Sequence, residues 1–131
     1  METTLYSYYK TVDMSYQEAI DKVTEELKKE GFGILTEIDV KATLKKKLDV
    51  DFRPYKILGA CNPPYAHKAL VAEEQIGLML PCNVVVYENE NGETVVAAID
   101  PIASMQAVNN PNLGDIAVAI REKMQSVIEK M

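Results

Sequence analysis

Apolar residues recur at helical spacing in two long segments of the chain. In the first segment one helical face comprises Tyr16, Ala19, Ile20, Val23 and Leu27. Ser15 and Glu18 have the spacing of a capping box at its start, and Gly31 ends it. In the C-terminal segment the same spacing joins Ile116, Ile120, Met124, Val127 and Met131. We therefore predict a helix in each segment, with Asn112 as the N-cap of the second.

Strand-like patterns separate shorter helical segments. The stretches "TLYSYYKT", "FGILTEID" and "RPYKILGAC" alternate or carry the bulky residues that favour strands. Asp39 is placed to cap a short helix from about Val40 to Leu48. A third helix is predicted from Pro63, followed by a looser connection from Gln75 to Pro81.

The stretch "NVVVYENENGETVVAAID" predicts a β-hairpin. Asn91 and Gly92 adopt positive φ easily, which favours a type I′ turn between the two valine-rich runs. The run from Val84 to Val86 is apolar at successive positions, so apolar groups lie on both faces of this strand. The last strand ends at Asp100 and Pro101, and "ASMQAV" is compatible with a short turn of helix.

The predicted order is β-α-β-α-β-α-β-β-α. It indicates an α+β fold, a two-layer sandwich in which a mixed five-stranded sheet carries its helices mainly on one face. With 131 residues and no internal repeat, the chain fits one domain spanning residues 1–131. The sequence contains no Rossmann fingerprint, P-loop or nucleophile elbow.

An apolar second sheet face predicts self-association. One layer of helices covers one face, whereas Val84 to Val86 and Val95 to Ala98 supply apolar groups to both. We therefore expect a two-fold homodimer that buries the other face, with Tyr6 or Tyr8 and the hairpin contributing. The alternative is a monomer in which the "NPPYAHKAL" helix or the connection before Pro81 crosses to cover that face.

Charge and composition narrow the possible partners. The formal net charge of −6 disfavours nucleic acid and anionic membranes as partners, and Lys45-Lys46-Lys47 is too short a basic cluster to reverse this. The N-terminus lacks the pattern of a signal peptide, and no apolar run reaches the ~18 residues of a membrane helix. We expect a cytoplasmic protein whose two cysteines are free thiols.

Candidate chemistry concentrates in "ILGACNPPYAHKAL". Asn62 is a suitable N-cap and Pro63 suits the first helical position, so Cys61 is predicted beside a helix N-terminus. Such a position lowers a thiol pKa and favours bound anions. Alternatively, these residues only form the junction between a strand and a helix, and Cys61 is a small buried apolar residue.

His67 and Cys82 are further candidates. His67 is the single histidine and lies six residues after Cys61. At this distance in sequence it could contact a ligand or assist a thiol. Cys82 opens the hairpin strand and approaches Cys61 if their strands are neighbours. Two thiols and one histidine leave a zinc site one ligand short, so no metal is predicted.

The stretches "YKILGACNPPYAHKAL" and "GLMLPCNVVVYE" together resemble the bacterial and archaeal domain of unknown function 302 family, with similarity from about Tyr9 to Met131. The positions that match its motif are Cys61, Pro63, Ala66, Leu70, Gly77, Pro81, Cys82 and Val85. The resemblance implies a small α+β protein that forms a homodimer. It implies no activity, substrate or cofactor.

Two functions follow as hypotheses. The first is a non-enzymatic module that binds a small ligand near Cys61, Asn62, His67 and Cys82, with an anion as one candidate. The alternative is a thiol-based redox or sensor protein, in which Cys61 reacts and Cys82 resolves the oxidised sulfur. The sequence identifies no cofactor for either.

Overall fold

A computed structural model describes all 131 residues. The strands are β1 (Glu2–Thr3), β2 (Ser7–Val12), β3 (Gly33–Asp39), β4 (Tyr55–Cys61), β5 (Cys82–Glu88) and β6 (Thr94–Ile99). The helices are α1 (Tyr16–Lys29), α2 (Val40–Leu48), α3 (Pro63–Ala72), α4 (Pro101–Met105) and α5 (Gly114–Glu129). Short 3-10 helices occupy Glu74–Met79, Gln106–Val108 and Pro111–Leu113.

The strands form one sheet in the order β1-β2-β6-β5-β4-β3, and every neighbouring pair is antiparallel. The α+β class is confirmed, but the predicted mixed sheet of five strands is wrong. The sixth strand, β1, has two residues, which is too short for any periodic pattern to show. The sheet is not mixed because the connections through α2 and α3 join adjacent antiparallel strands instead of making parallel crossovers.

Helices α1 and α5 pack on one face of the sheet, here called the helix-side face. The main core joins their apolar stripes to alternate strand residues, among them Tyr8, Leu58, Val84, Val86 and Val96. The predicted stripe of α1 is confirmed except at its start, where Tyr16 is only partly buried. The other face of the sheet, here called the outer face, carries the intervening residues such as Tyr9 and Val85.

A second apolar cluster lies at one end of the helical layer. It comprises Ala69, Ile76, Met105, Leu113 and Ala117. These residues bring α3 and the following 3-10 helix against α4 and α5. The alternative in which α3 crosses to cover the outer face is therefore not what the structure shows.

Helix starts follow the predicted capping in two cases. The Ser15 Oγ accepts a hydrogen bond from the Glu18 N–H at 3.1 Å, and Asp39 Oδ1 accepts one from the Ala42 N–H at 2.9 Å. The predicted Asn112 cap of the last helix is wrong. A 3-10 turn precedes α5, and Asn110 caps that turn through the Asn112 N–H.

The predicted hairpin between β5 and β6 is present, but its turn is not type I′. That turn requires positive φ at both central residues, and only Gly92 has it, at 77°. Asn89 closes the loop instead, because its Oδ1 accepts from the N–H groups of Asn91 and Glu93. The loop is therefore longer than a two-residue turn. None of the five helices has the length and hydropathy that a membrane crossing requires.

Candidate functional site

The junction of β4 and α3 is built differently from the prediction. Asn62 occupies the N-cap position of α3, yet its side chain makes no capping hydrogen bond. Its Nδ2 donates instead to the Glu30 carbonyl at the end of α1, at 3.1 Å. The buried Asn62 amide thus fastens the start of α3 to α1, and its donor is not directed at a ligand.

A small cavity is lined by three of the predicted residues, Cys61, Asn62 and Cys82. Its volume is about 30 Å³, and its walls are mainly apolar, with contributions from Phe32, Tyr65 and Met105. A water needs roughly 10–15 Å³ by the same kind of measure, so the space suits one or two waters and no larger ligand. An anion would meet an apolar wall here, because Asn62 is the one amide among the lining residues.

The strand register turns the two thiols to opposite faces of the sheet, although both residues line the small cavity. Ala60 pairs directly with Cys82, so these two share the helix-side face, and Cys61 points to the outer face as the next residue of β4. A disulfide requires Cβ vectors that converge, so this register counts against a Cys61–Cys82 bond. Burial, with a smaller contribution from the Cys61 charge, raises the pKa of Cys82 from 9.0 to about 11. Cys82 is therefore a protonated, unreactive thiol at neutral pH.

His67 is not brought to the other candidates. It lies exposed on α3, outside the lining of the cavity beside Asn62. No cluster of three or more His, Cys, Asp or Glu side chains is arranged to hold a metal ion. Of the four residues that the sequence singled out, Cys61, Asn62 and Cys82 thus line the same small cavity, and His67 lies apart from them on the exposed surface of α3.

The outer face contains a larger concavity, of about 350 Å³. Its lining includes Tyr6, Tyr9, Tyr55, Tyr87, Val85 and Asn83, and it is called the tyrosine concavity below. These residues come from β2, β4, β5 and the turn before β2, and alternation along the strands points them away from the helices. No lining residue carries a formal charge.

Two of the tyrosines are stacked. Tyr55 and Tyr87 are direct cross-strand partners whose ring centroids are 5.2 Å apart, with 13° between the ring planes. Burial and the neighbouring phenols raise the pKa of Tyr55. The Glu2 carboxylate, more than burial, raises the pKa of Tyr9. Both phenols therefore stay protonated well above neutral pH and act as uncharged hydrogen-bonding groups.

Tyr8, one of the two tyrosines predicted at a dimer interface, lies on the opposite side. It is buried among the helices, where its hydroxyl donates to Asp100 at 3.3 Å and accepts from Arg121 Nε. Asp100 also caps α4 by accepting from the Ile102 N–H at 2.9 Å. This cluster joins β2, α4 and α5, so Tyr8 has a structural role. Tyr6 is 64% exposed and remains available at the rim of the tyrosine concavity.

Sequence reasoning missed most of the tyrosine concavity. Tyr55, Tyr87 and Asn83 were not selected because they stand far apart in sequence and none has a reactive neighbour. A usable signal did exist, since each occupies a strand position opposite in parity to the core positions. Parity alone does not show which strands are adjacent, so the cluster could not be assembled from it.

The family model for the domain of unknown function DUF302 matches residues 8–131. The chain belongs to the DUF302 family. It is similar over 97% of its length to the crystal structure of an uncharacterized conserved protein DUF302 from Bacillus stearothermophilus, at 34% sequence identity. That match covers 98% of the other chain with a TM-score of 0.89. A search of curated proteins gave no match.

The membership predicted from two sequence stretches is thus confirmed, and the fold shows how the stretches meet. They run along the neighbouring strands β4 and β5. In this DUF302 chain the same stretches supply Cys61, Asn62 and Cys82 to the small cavity, and Tyr55, Asn83 and Tyr87 to the tyrosine concavity. The stretches that identify the family therefore contribute to both faces of the sheet.

Proposed function

We propose that this DUF302 protein is a non-enzymatic module that binds a small, neutral ligand in the tyrosine concavity. The observation that carries the proposal is a concavity of about 350 Å³ with tyrosine walls and no charged lining residue. Ligand sites of roughly 300–1,000 Å³ that combine aromatic walls with a few polar groups are typical of small-molecule binding. Asn83 and the phenols provide the polar groups.

The concavity suits binding better than catalysis. Its titratable lining groups are phenols, and the raised pKa values of Tyr9 and Tyr55 make them poor general bases near neutral pH. A neutral ligand also fits better than an anion, because the lining offers no cation and the whole chain has a net charge of −6. We therefore place the ligand on the outer face and not beside Asn62.

A second copy of the chain is proposed to cover the outer face around the ligand. A compact monomer of this mass exposes about 6,900 Å² by the usual scaling of surface with mass. This chain exposes 7646 Å², an excess of roughly 700 Å², which is close to the ~800 Å² that each partner buries in a standard interface. The exposed Tyr6 and the apolar outer residues support a two-fold dimer that encloses the tyrosine concavity.

A cytoplasmic location is part of the same proposal. It rests on the two free thiols and the ordinary composition of the chain.

Binding is tested with 4-methylphenol, a flat neutral probe that carries one hydroxyl. It should raise the Tm of the wild-type protein, and Val85→Trp, which fills the tyrosine concavity, should remove the shift. The matched control is Val71→Trp, because Val71 is 76% exposed on α3 and lies outside the concavity. Absence of a shift for the wild type, or an undiminished shift for Val85→Trp, would contradict the proposal. Inorganic phosphate should give no shift.

Light scattering tests the assembly. We expect twice the chain mass of 14.6 kDa at micromolar concentration, and a mass near 14.6 kDa would rule out the dimer. Introducing a charge with Val85→Asp should shift the protein towards the monomer, because an unpaired carboxylate would be buried at the interface.

The thiol-based alternative depends on Cys61 alone in this geometry. Cys82 is buried on the helix-side face and its raised pKa keeps it protonated. An intramolecular Cys61–Cys82 disulfide after peroxide treatment, identified by mass spectrometry, would favour the alternative over a binding module. If Cys61→Ser no longer shows the Tm increase with 4-methylphenol, the Cys61 thiol would be connected with ligand binding.

A further inference from the structure

Helix α2 is the only one of the five helices without a buried residue. A nine-residue helix is marginally stable by itself, because helices of this length depend on the packing of an apolar face. The apolar edge of α2 ends in water, since Leu48 is 67% exposed and Val50, just beyond the helix, is 43% exposed. The helix therefore has a surface that nothing in a single chain covers.

The same helix concentrates positive charge. Val40–Leu48 contains four lysines and no acidic residue, and without these four lysines the chain's net charge of −6 becomes −10. Lys45 forms ion pairs with two aspartates that follow the helix. Lys46 and Lys47 are exposed and form no ion pair. These unpaired lysines fit an acidic partner surface.

Helix α2 lies at one corner of the sheet, called the basic corner below. It follows the edge strand β3 and lies against β3 and β4. Lys41 Nζ donates to the Phe52 carbonyl at 2.7 Å, and the centroid of the Phe52 ring is 6.4 Å from that of Tyr55. Because Tyr55 lines the tyrosine concavity, the basic corner flanks that concavity.

The opposite edge of the sheet carries an acidic corner, formed by Glu2, Asp13 and Glu93. Glu2 of β1 pairs with Tyr9 and therefore shares the outer face. Asp13 follows β2 and lines an open groove of about 570 Å³ together with Glu93 of the hairpin loop. All three carboxylates are exposed and form no ion pair. Strands β2 and β3 run in the same direction, so both corners lie at the same end of the sheet.

A two-fold dimer that packs the outer faces together has two arrangements, which differ in the direction of the axis. An axis across the strands overlaps each edge of the sheet with the same edge of the partner. An axis along the strands overlaps opposite edges at the same end, which brings each basic corner over the acidic corner of the partner. Charge complementarity favours the second arrangement. An exposed apolar side chain accompanies each corner, Leu48 on the basic one and Met1, which is 44% exposed, on the acidic one.

We propose that the dimer axis runs along the strands and that α2 of each copy docks on the acidic corner of its partner. Lys46 and Lys47 then lie near the partner's Glu2 and the partner's Asp13. Because Glu2 pairs with Tyr9 of the tyrosine concavity, α2 of one copy completes the binding site of the other. The inference rests on the proposed function, because it specifies how the second copy covers the outer face.

Charge reversal at the two corners tests the inference. The double variant Lys46→Glu, Lys47→Glu should raise the dissociation constant of the dimer by at least about tenfold, because like charges then meet at both symmetric contacts. The double variant Glu2→Lys, Asp13→Lys should do the same. An equimolar mixture of the two variants should return the dissociation constant to the wild-type value, since every basic corner again meets an acidic one. Light scattering over a dilution series measures each protein and the mixture.

The double variant Lys28→Glu, Lys68→Glu is the matched control. It changes the net charge as much as the reversal on α2 does, at two exposed lysines of the helical layer. It should dimerise like the wild type. All the reversed positions are exposed, so circular dichroism should show the same fold for every variant.

Cross-linking with a short bis-maleimide gives a second measurement. It uses a Cys61→Ser background, in which the buried Cys82 is the one native thiol left. A mixture of Leu48→Cys and Asp13→Cys chains should form cross-linked dimers, whereas Leu48→Cys chains alone should not. Leu35→Cys chains, with the new thiol at an exposed position of β3, should not cross-link to each other, because the two β3 edges lie apart.

The outcomes separate the inference from the proposed function. A wild-type monomer throughout the dilution series would refute the second copy and the inference together. A wild-type dimer that neither reversal weakens, or that the mixture of variants does not restore, would overturn the docking of α2 and leave the dimer in place. Cross-linking of Leu35→Cys chains to each other would show that like edges meet, with the same consequence. Failure of 4-methylphenol to bind would contradict the ligand site without changing these results.

Discussion

Successive residues of β5 serve the two faces of the sheet in different ways. Val84 and Val86 are fully buried beneath the helices, whereas the alternating residues Val85 and Tyr87 are half-buried on the outer face. The helix-side face is closed by α1 and α5, and the small cavity of about 30 Å³ is walled by α3, α4 and α5 at one end of this layer. The outer face retains about 350 Å³ of open concavity. Similar apolar sequence therefore builds a packed core on one face and leaves an open concavity on the other.

The two faces also differ in the accessibility of their titratable groups. Cys82 lies on the closed face, where burial suppresses its ionisation. The tyrosines on the open face are accessible but keep their protons. The raised pKa values of Cys82, Tyr9 and Tyr55 make these three groups poor general bases near neutral pH.

The largest expected effect comes from placing the same charge on either face of β5. Val84→Asp should lower the free energy of unfolding by about 3–5 kcal/mol, because it buries a carboxylate without a partner. Val85→Asp should cost the folded monomer under about 1 kcal/mol, because water reaches the outer face. Urea unfolding at low protein concentration measures both. Equal losses would show that the two faces are equally buried.

The Gly59→Ala variant tests whether the outer face is tightly packed at Gly59. A Cβ added there would lie 2.1 Å from Thr36 Oγ1 and 2.8 Å from Pro81 Cγ, so Gly59→Ala should destabilise the fold by about 1–3 kcal/mol. Gly33→Ala is the control, because nothing lies within 4 Å of its added Cβ. Thr36→Ala should partly rescue Gly59→Ala in urea unfolding, whereas no rescue would place the clash elsewhere.

Burial of Cys82 should make stability depend on alkaline pH. An unfolded thiol ionises near 9.0, and the folded Cys82 has a pKa of about 11. Its contribution is complete below pH 9 and is lost as pH rises towards 11, because the unfolded chain then releases a proton that the folded chain retains. The loss is on the order of 2 kcal/mol.

Cys82→Ala provides the comparison for this pH dependence. Urea midpoints of both proteins at about pH 8 and about pH 10.5 separate the thiol from other titrating groups. The wild type should lose more stability than the variant over this interval. A parallel loss in both would contradict the raised pKa of Cys82.

The smallest effect is expected at His67. His67→Ala should change the free energy of unfolding by less than about 0.5 kcal/mol, because the side chain is exposed. It should also leave the 4-methylphenol shift unchanged. Loss of that Tm increase would indicate that the ligand binds near α3 and not in the tyrosine concavity.

Several elements were predictable because their determinants are local. The stripe of α1 and its Ser15 cap, the Asp39 cap and the hairpin between β5 and β6 all depend on residues a few positions apart. The Asn62 cap failed for a non-local reason. Glu30 accepts its amide from a position 32 residues away, and this contact displaces the local bond. The two-residue β1 likewise depends on its pairing with Tyr8 and Tyr9.

The sequence by itself determined the α+β class, the family and the presence of apolar residues on both faces of the hairpin, because periodicity and short motifs are properties of neighbouring residues. Only the tertiary structure decided that all six strands are antiparallel and that Tyr9, Tyr55 and Tyr87 meet. Strand order and register depend on pairing between residues that are far apart in sequence. The same pairing turns Cys61 and Cys82 to opposite faces of the sheet, which no local pattern could show.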